Sequence, residues 1–300
     1  MKKLLLLLLL ISSICYANST NDITVTVGYG PGGTNTITRT FTADAENASQ
    51  LNFIVEERPG ANGSIALKNY LKQAPSNKSI VGVSGGQVLF EALVHPENNF
   101  INQLKIIGPV VYSPLAIAIK NNGNGKISSL NDLFDKKIPK QVINIASGGE
   151  SHDMLIKQIA KYSHHDIQAV RYKGGAEEYT AVMGGHVDAE VDSFGALKQR
   201  EPSLRIIGVA QPTAIGAVPS INKFAPIPTM VNYFAIAINK DATDIQELIK
   251  AITLGFIRSD RVDIYKEQGY SVDLNSNSDY TTRVVDPTYK KWIEILNKSK

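Results

Sequence analysis

Apolar positions along this chain fall into short β-rich runs that alternate with segments of helical spacing. The runs predict strands over 23–28, 52–56, 79–83, 105–119, 142–146, 167–170, 188–192, 205–210 and 231–238. The spacing between them predicts helices over 34–47, 63–73, 87–95, 128–134, 151–162, 175–183, 244–258, 261–268 and 279–297. This alternation is typical of an α/β fold with a mostly parallel sheet, whose ligands bind at the carboxyl ends of the strands.

Two long β-rich runs, 106–120 and 227–240, break this rhythm and resemble each other. Each has a tyrosine followed by an alanine–isoleucine alternation and a lysine. Paired long strands let a chain leave one lobe, build a second and return to the first. We therefore predict a discontinuous lobe I, residues 18–110 plus 231–300, and a lobe II, residues 111–230. The alternative is that both runs are ordinary core strands of one sheet.

Three glycine pairs follow predicted strands and precede helical segments: Gly32–Gly33, Gly85–Gly86 and Gly148–Gly149. Glycine lets the backbone turn sharply with its N–H groups uncovered. A helix that begins there adds unpaired amides and the positive end of its dipole, which together favour an anion. Because none of the three loops contains Lys or Arg, we expect a carboxylate held by amides and hydroxyls.

Side chains and amides around these loops are the candidate ligand contacts. Asp192 ends a predicted strand, and Ser84 offers a hydroxyl beside the glycine amides. At the third loop, Glu150 or Ser151 is expected to cap the helix, so His152 is a candidate hydrogen-bond donor rather than part of a catalytic triad. The complete set is Tyr29, Gly32, Gly33, Thr34, Asn35, Ser84, Gly85, Ser147, Gly148, Gly149, Ser151, His152, Tyr172 and Asp192.

Two of the loops also match enzyme motifs. Residues 28–33 fit G-x-G-x-x-G, the dinucleotide fingerprint, although Pro31 stiffens a turn that must wrap around a pyrophosphate. Residues 82–86 fit G-x-S-x-G, the nucleophile elbow of a hydrolase, with Ser84 as nucleophile. No histidine follows His186, and no H-G-G-G-type segment precedes the serine. A secreted serine hydrolase and a dinucleotide-binding enzyme are therefore alternatives to a binding protein without catalysis.

The amino-terminal residues 1–17 match a signal peptide. Lys2 and Lys3 precede an apolar stretch that ends in Cys15-Tyr16-Ala17, a small-residue cleavage site, and the stretch is too short to span a membrane. Cleavage after Ala17 would remove the only cysteine and leave a mature chain without disulfides; lipidation of Cys15 is the alternative. No later apolar stretch reaches membrane-spanning length, so we expect an exported, soluble protein.

Charge and histidine spacing exclude other classes. The formal net charge is +3, from 31 Lys plus Arg against 28 Asp plus Glu, and losing Lys2 and Lys3 lowers it to +1. The basic residues are scattered rather than clustered, which argues against a nucleic-acid partner. The histidines lack metal-ligand spacing, so neither a metal nor another cofactor is expected.

Five segments together resemble the substrate-binding receptor of the tripartite tricarboxylate transporters. They follow one another in that family's order and cover essentially the whole mature chain. The family patterns are P-P-G-G-[ST]-x-D, E-N-R-P-G-A-G-G, S-x-G-x-G-S-x-S-H, V-P-Y-K-G and G-G-Q-V-D…D-S. They correspond here to Gly30 to Asn35, Glu56 to Gly63, Ser147 to His152 in shortened form, Val170 to Gly174, and Gly184 to Ser193.

The resemblance implies a two-lobed, type II-like periplasmic-binding-protein fold, with two hinge-crossing strands and a ligand closed between the lobes. It implies a monomeric, non-enzymatic periplasmic receptor that holds a ligand carboxylate on the first glycine loop and on residues 147–152. Its partners would be a small organic acid and the integral membrane subunits of a transporter. The acid that often follows the first glycine pair is absent, since Asn35 or Thr36 stands there. This departure favours a di- or tricarboxylate, or an acid with a neutral tail.

Overall fold

A computed structural model of the chain describes residues 21–121 and 125–274, together with 290 and 293. The predicted signal peptide (1–17) lies outside the described residues, as does most of the helix predicted over 279–297. The ten strands described are β1 (Asp22–Val27), β2 (Asn52–Glu57), β3 (Ser79–Ser84), β4 (Leu104–Lys120), β5 (Val142–Ser147), β6 (Asp166–Arg171), β7 (Ala189–Ser193), β8 (Leu204–Val209), β9 (Val231–Asn239) and β10 (Ser271–Asp273).

Eight α-helices are described between these strands. They are α1 (Gly33–Ala48), α2 (Ser64–Leu71), α3 (Glu91–Val94), α4 (Glu150–Tyr162), α5 (Gly175–Met183), α6 (Phe194–Lys198), α7 (Gln246–Arg258) and α8 (Arg261–Glu267). A π-helical turn, Gly86–Phe90, precedes α3. The predicted α/β fold class is confirmed.

The strands form two half-sheets of equivalent order. In the first half-sheet the order is β2-β1-β3-β9-β4, with β1, β2 and β3 parallel and β9 antiparallel to β3. In the second the order is β6-β5-β7-β4, with β8 on the other edge of β4. Here β5 is parallel to β6 and β7, while β4 is antiparallel to β7. Each half-sheet therefore has its first strand between its second and third strands.

The long strand β4 belongs to both half-sheets. Its residues Leu104 to Pro114 pair with β9, and Leu115 to Lys120 pair with β7 and β8. The second long run begins as a β-strand only at Val231, and β9 pairs within the first half-sheet. Just before it, the Met230 amide donates to the Ala210 carbonyl over 2.9 Å, which ties this segment to the second half-sheet. The exact lobe boundaries stay a prediction.

Apolar packing joins the two halves as well as stabilising each of them. A cluster in the first half packs α1 and α7 on the sheet, where the rings of Phe41 and Phe256 meet edge to face with centroids 5.0 Å apart. Another buried cluster continues from Val83 in β3 across β4 to Leu155 in α4 and Val191 in β7. The two halves thus share part of their core next to β4.

Some predicted elements differ in the structure. The helix predicted over 128–134 is only a 3-10 turn, Asn131–Leu133. The Asp132 carboxylate accepts the amide hydrogens of Ser128 and Ser129 over 2.7 and 3.1 Å, as at a helix start, but the turn does not continue beyond Leu133. The short elements α6 and β10 were not predicted, since five and three residues are too few to show a period.

Candidate functional site

Three helices begin at one place between the two half-sheets, and each has a glycine as its N-cap. These are Gly32 for α1, Gly149 for α4 and Gly174 for α5, and none of them has a capping side chain. The prediction that Glu150 or Ser151 caps the third-loop helix is wrong, because α4 begins one residue after Gly149. Glycine provides no capping oxygen, so no capping side chain occupies the first amides of these helices. Two amides here have other partners, since Ala176 donates to the Pro31 carbonyl and Gly149 to the Ser147 hydroxyl, each over 3.4 Å.

The topology explains why these helix ends meet. Helix α1 follows β1, and α4 follows β5, which are the equivalent inner strands of the two half-sheets. Helix α5 follows the neighbouring strand β6. Because parallel strands place their carboxyl ends at one edge of a sheet, the glycine loops of each half lie together and face those of the other half.

A cavity of about 50 Å³ lies between these loops. At about 10–15 Å³ for each water molecule, it holds on the order of four waters. Ten of the predicted site residues line it: Tyr29, Gly32, Gly33, Thr34, Ser84, Gly148, Gly149, Ser151, His152 and Asp192. All three glycine loops therefore contribute to one site, with residues from both half-sheets.

Four predicted site residues do not line this cavity. Asn35 donates to the Tyr29 carbonyl over 3.2 Å, and Ser147 is hydrogen-bonded to Asp153, so both support the loops from behind. Gly85 lies against the Tyr233 ring. Tyr172 lines an adjoining cavity of about 340 Å³ on the far side of Gly148 and Gly149.

The two halves touch around the cavity. The Ala176 amide, at the start of α5, donates to the Pro31 carbonyl of the first glycine loop over 3.4 Å. Gly149 packs so closely against Asn62 that a β-carbon would overlap its side-chain oxygen. The structure is therefore a closed arrangement in which glycines from one half meet backbone and side chains from the other.

A hydrogen-bond network holds Tyr29 at one wall of the cavity. Its hydroxyl donates to the Asn62 side-chain oxygen over 3.0 Å and lies 3.4 Å from the Ser84 hydroxyl. The Asn62 amide nitrogen donates in turn to Glu91 over 3.3 Å. Burial raises the pKa of Tyr29 above its usual value, so the phenol keeps its proton and acts as a donor at neutral pH.

The opposite wall carries two buried acids, Glu178 on α5 and Asp192 on β7, and a third buried acid, Glu190 on β7, lies near them without lining the cavity. Arg200 is the cation beside them: one guanidinium nitrogen contacts Glu190, and the other lies 3.0 Å from Asp192. Burial raises the pKa of Glu190 to about 8 and also raises that of Glu178. One guanidinium therefore faces three acids, and the raised pKa values of Glu178 and Glu190 reduce the negative charge that they carry.

His152 lies between the third glycine loop and Glu178. Its Nδ1 accepts the Gly148 amide hydrogen over 3.0 Å, and the same atom is 3.5 Å from Glu178 Oε2. Burial lowers the pKa of His152, but the neighbouring carboxylate outweighs this and raises it overall. Nδ1 can accept from Gly148 or, when protonated, donate to Glu178; it cannot do both. The 3.0 Å geometry favours the bond from Gly148.

Eight residues that line the cavity were not among the predicted contacts. They are Gly30, Asn62, Gly86, Gly174, Gly175, Glu178, Asn232 and Phe234. Gly174 and Gly175 form a further glycine pair before a helix, so the pattern used for the other loops could have found them. Glu178 is in the first turn of α5, where an acid ordinarily complements the helix dipole. Asn232 and Phe234 lie on β9 without any local motif.

The described residues contain neither a group of potential metal ligands nor a membrane-spanning helix. Within residues 21–121 and 125–274, no three His, Cys, Asp or Glu side chains are grouped so as to hold a metal ion. Among the helices of that same part of the chain, none has the length and apolar character needed to cross a membrane.

Fold and cavity together define the class, an α/β protein with a candidate binding site between two halves. Solved structures share the fold. A structure titled as a periplasmic transporter matches with a TM-score of 0.81 at 19% identity, covering 95% of this chain and 99% of its own. MatC (Rpa3494) from Rhodopseudomonas palustris with bound malate matches with a TM-score of 0.78 at 16% identity, and the match covers 92% of this chain and 99% of MatC. Rpa4515 from R. palustris with adipate matches with a TM-score of 0.81 at 17% identity, and the match covers 93% of this chain and 97% of Rpa4515.

This chain belongs to the tripartite tricarboxylate transporter receptor family, whose model matches residues 37–300. The predicted family is therefore confirmed. A UPF0065 protein of Bordetella bronchiseptica is 25% identical over 181 residues, which make up 58% of this chain and 53% of that protein. The alignment thus spans about half the length of the curated relative.

Proposed function

We propose that this protein is a periplasmic receptor that captures a small carboxylate between its two halves and delivers it to the membrane subunits of a tripartite tricarboxylate-type transporter. One observation carries the proposal: three helix N-termini with glycine caps, from both half-sheets, meet at one cavity. Uncovered amides at helix N-termini bind anions through directed hydrogen bonds and the helix dipole.

The division of these contacts between two halves supports binding by closure. Helix α1 in the first half offers part of the amide set, and α4 and α5 in the second half offer the rest. Full affinity then requires both halves to touch the acid, so the ligand shifts the equilibrium towards the closed state. We propose that the two moving parts are lobe I, residues 18–110 plus 231–300, and lobe II, residues 111–230. Closure would also change the surface that the membrane subunits recognise.

The family and the structural neighbours support this function rather than an enzymatic one. Receptors of this family are solute-binding proteins, and two neighbours with the same fold were solved with the carboxylates malate and adipate. Residues 1–17 as a signal peptide would export the chain to the periplasm, and we propose that it works there as a monomer. A cavity of about 50 Å³ between the glycine loops favours a small ligand over a dinucleotide.

The hydrolase alternative rests on Ser84, which does line the cavity. A nucleophilic serine needs a base within hydrogen-bond reach. In the described part of the chain, the hydrogen bond that the Ser84 hydroxyl makes is to Tyr29, at 3.4 Å, and burial keeps that phenol protonated by raising its pKa. This geometry favours a hydroxyl that contacts a ligand.

A binding experiment separates these possibilities. Isothermal titration with C3 to C6 mono- and dicarboxylates should give at least one saturable complex, and Ser84→Ala should weaken it by about 10- to 150-fold, the value of one hydrogen bond to a charged group. Ser129→Ala, away from the cavity, is the matched control and should bind as the wild type does. Turnover of p-nitrophenyl esters that disappears in Ser84→Ala, without any carboxylate binding, would instead establish a hydrolase.

A further inference from the structure

The cavity contains a buried acceptor without a donor. Glu178 is 1% exposed, and its Oε2 has no hydrogen-bond partner among the described residues. The side chain lines the cavity and packs directly against Gly148 of the third glycine loop. A buried polar oxygen without a partner destabilises the site that contains it, and more so when it is charged. A ligand that donates to Glu178 would remove this destabilisation.

The cations near Glu178 are already engaged. Arg200 contacts Glu190 and Asp192, and the nearest imidazole nitrogen, His152 Nδ1, is 3.5 Å away and accepts from Gly148. A His152 protonated at Nδ1 could donate to Glu178, but it could then no longer accept the Gly148 amide hydrogen over 3.0 Å.

The charges on this wall leave one place for a cation. A proton on Glu190, whose pKa burial raises to about 8, removes one negative charge at neutral pH. Arg200 balances Asp192 at 3.0 Å. Glu178 has no such cation bonded to it; burial raises its pKa as well, and a cationic group placed against it would favour its ionised form. Asp192 next to it also lines the cavity. A second bare carboxylate at this wall would lie against like charge in a low-dielectric site.

We propose that the ligand is an amphoteric acid, with a carboxylate on the glycine amides and a cationic N–H group, such as a primary ammonium, on Glu178. This inference rests on the proposed carboxylate-binding function and narrows it. The ammonium supplies both the donor that Glu178 Oε2 lacks and the missing positive charge. The prediction of a di- or tricarboxylate changes accordingly, because such an acid fits this wall only if it also carries the cationic group.

Pairs of acids that differ by one ammonium test the proposal on the wild-type protein. Succinate with aspartate, glutarate with glutamate, and butyrate with 4-aminobutyrate keep the carboxylates and chain length constant within each pair. Isothermal titration at pH 7 should show the aminated member of at least one pair binding tenfold or more tightly than its partner. Bare acids that bind as tightly as their aminated partners, or more tightly, would overturn the inference.

A substitution assigns the preference to Glu178. Glu178→Gln keeps the size of the side chain and removes its charge, so the preference for the aminated acid should fall to threefold or less while the bare acid binds no worse. Glu247→Gln, an exposed position in α7, is the matched control and should keep the wild-type preference. An unchanged preference in folded Glu178→Gln would contradict the assignment; if that variant does not fold, the wild-type pairs still decide.

Failure of this inference differs from failure of the proposed function. If no member of any pair binds, and no acid in the wider carboxylate panel binds, the carboxylate function itself fails. If bare acids bind well and aminated acids do not, the receptor function stands and Glu178 is not an ammonium site. A protonated Glu178 that donates to a second carboxylate would give this second result.

Discussion

Glycines at the cavity keep space for the opposite half of the molecule. At Gly149 a side chain would overlap the Asn62 oxygen, and at Gly32 a β-carbon would lie 3.1 Å from the Gly175 nitrogen. Asn62 cannot easily move away, because Tyr29 and Glu91 hold it by hydrogen bonds. The absence of side chains here therefore permits closure as well as exposing amides.

Substitution of Gly149 tests this role. Gly149→Ala should weaken binding of the tightest-binding carboxylate by at least tenfold, because the added methyl group meets Asn62 only when the halves are together. The melting temperature of the free protein should change little, since the backbone at Gly149 is extended and accepts alanine. Titration calorimetry and a thermal melt measure the two effects.

The matched control for this substitution is Gly125→Ala. A β-carbon there lies 3.6 Å from the Ile127 carbonyl oxygen, an ordinary contact, and Gly125 is not part of the cavity. It should bind as the wild type does. Wild-type affinity in Gly149→Ala would show that closure does not depend on this contact.

At this scale the sequence located the backbone of the site better than its side chains. Glycine pairs after strands are local signals, so Gly33 and Gly149 were predicted as contacts, and both line the cavity. Glu178 was missed because an acid in the first turn of a helix has an ordinary explanation. Phe234 reaches the cavity only through the pairing of β9 with β3, which no local pattern reveals.

The element that concentrates charge is β7. Residues Glu190 and Asp192 are two apart on this strand, so both side chains point to the same face, where Arg200 meets them. Because the strand is buried in the second half-sheet, water cannot stabilise these charges, and burial raises the pKa of Glu190 to about 8 from an ordinary value of 4.5.

This shift predicts a pH-dependent stability. Between pH 4.5 and 8 the folded protein holds a proton on Glu190 that the unfolded chain has released, so the contribution of Glu190 to the unfolding free energy is largest below pH 4.5 and is lost as the pH rises through about 8. Relative to Glu190→Gln, the wild type should lose at most about 1.4 kcal/mol per pH unit between pH 5 and 8.

Urea unfolding of wild type and Glu190→Gln at pH 5 and pH 8 measures this difference. Glu247→Gln, on the exposed face of α7, is the control and should follow the wild type at both values. If the difference in unfolding free energy between wild type and Glu190→Gln stays constant with pH, Glu190 is ionised throughout this range in the folded protein.

Long helices whose apolar residues repeat with helical spacing were predicted closely, and short elements were not. Helix α4 was expected over 151–162 and spans Glu150–Tyr162, since its apolar side chains repeat with helical spacing. The segment 128–134 also contains regularly spaced apolar residues, but it is short and forms only a 3-10 turn, Asn131–Leu133.

The whole molecule combines two equivalent half-sheets on one long strand. The strand β4 and a shared apolar cluster connect the halves, while the glycine loops face each other across the cavity. The fold class and the family were predictable because five motifs are spread along the chain in order. The chemistry of the second wall was not, because Glu178, Asp192 and Arg200 come together only when α5, β7 and the turn after α6 pack.

The central claim is that amides from both halves hold one carboxylate, and NMR of the [15N]glycine-labelled protein tests it directly. The chain has 23 glycines. On titration with the tightest-binding acid, the assigned Gly33 amide of the first half and the Gly149 and Gly175 amides of the second should move downfield with one common midpoint, while Gly125 stays unchanged. Saturable binding that moves the glycines of only one half, or none of these three, would contradict the account.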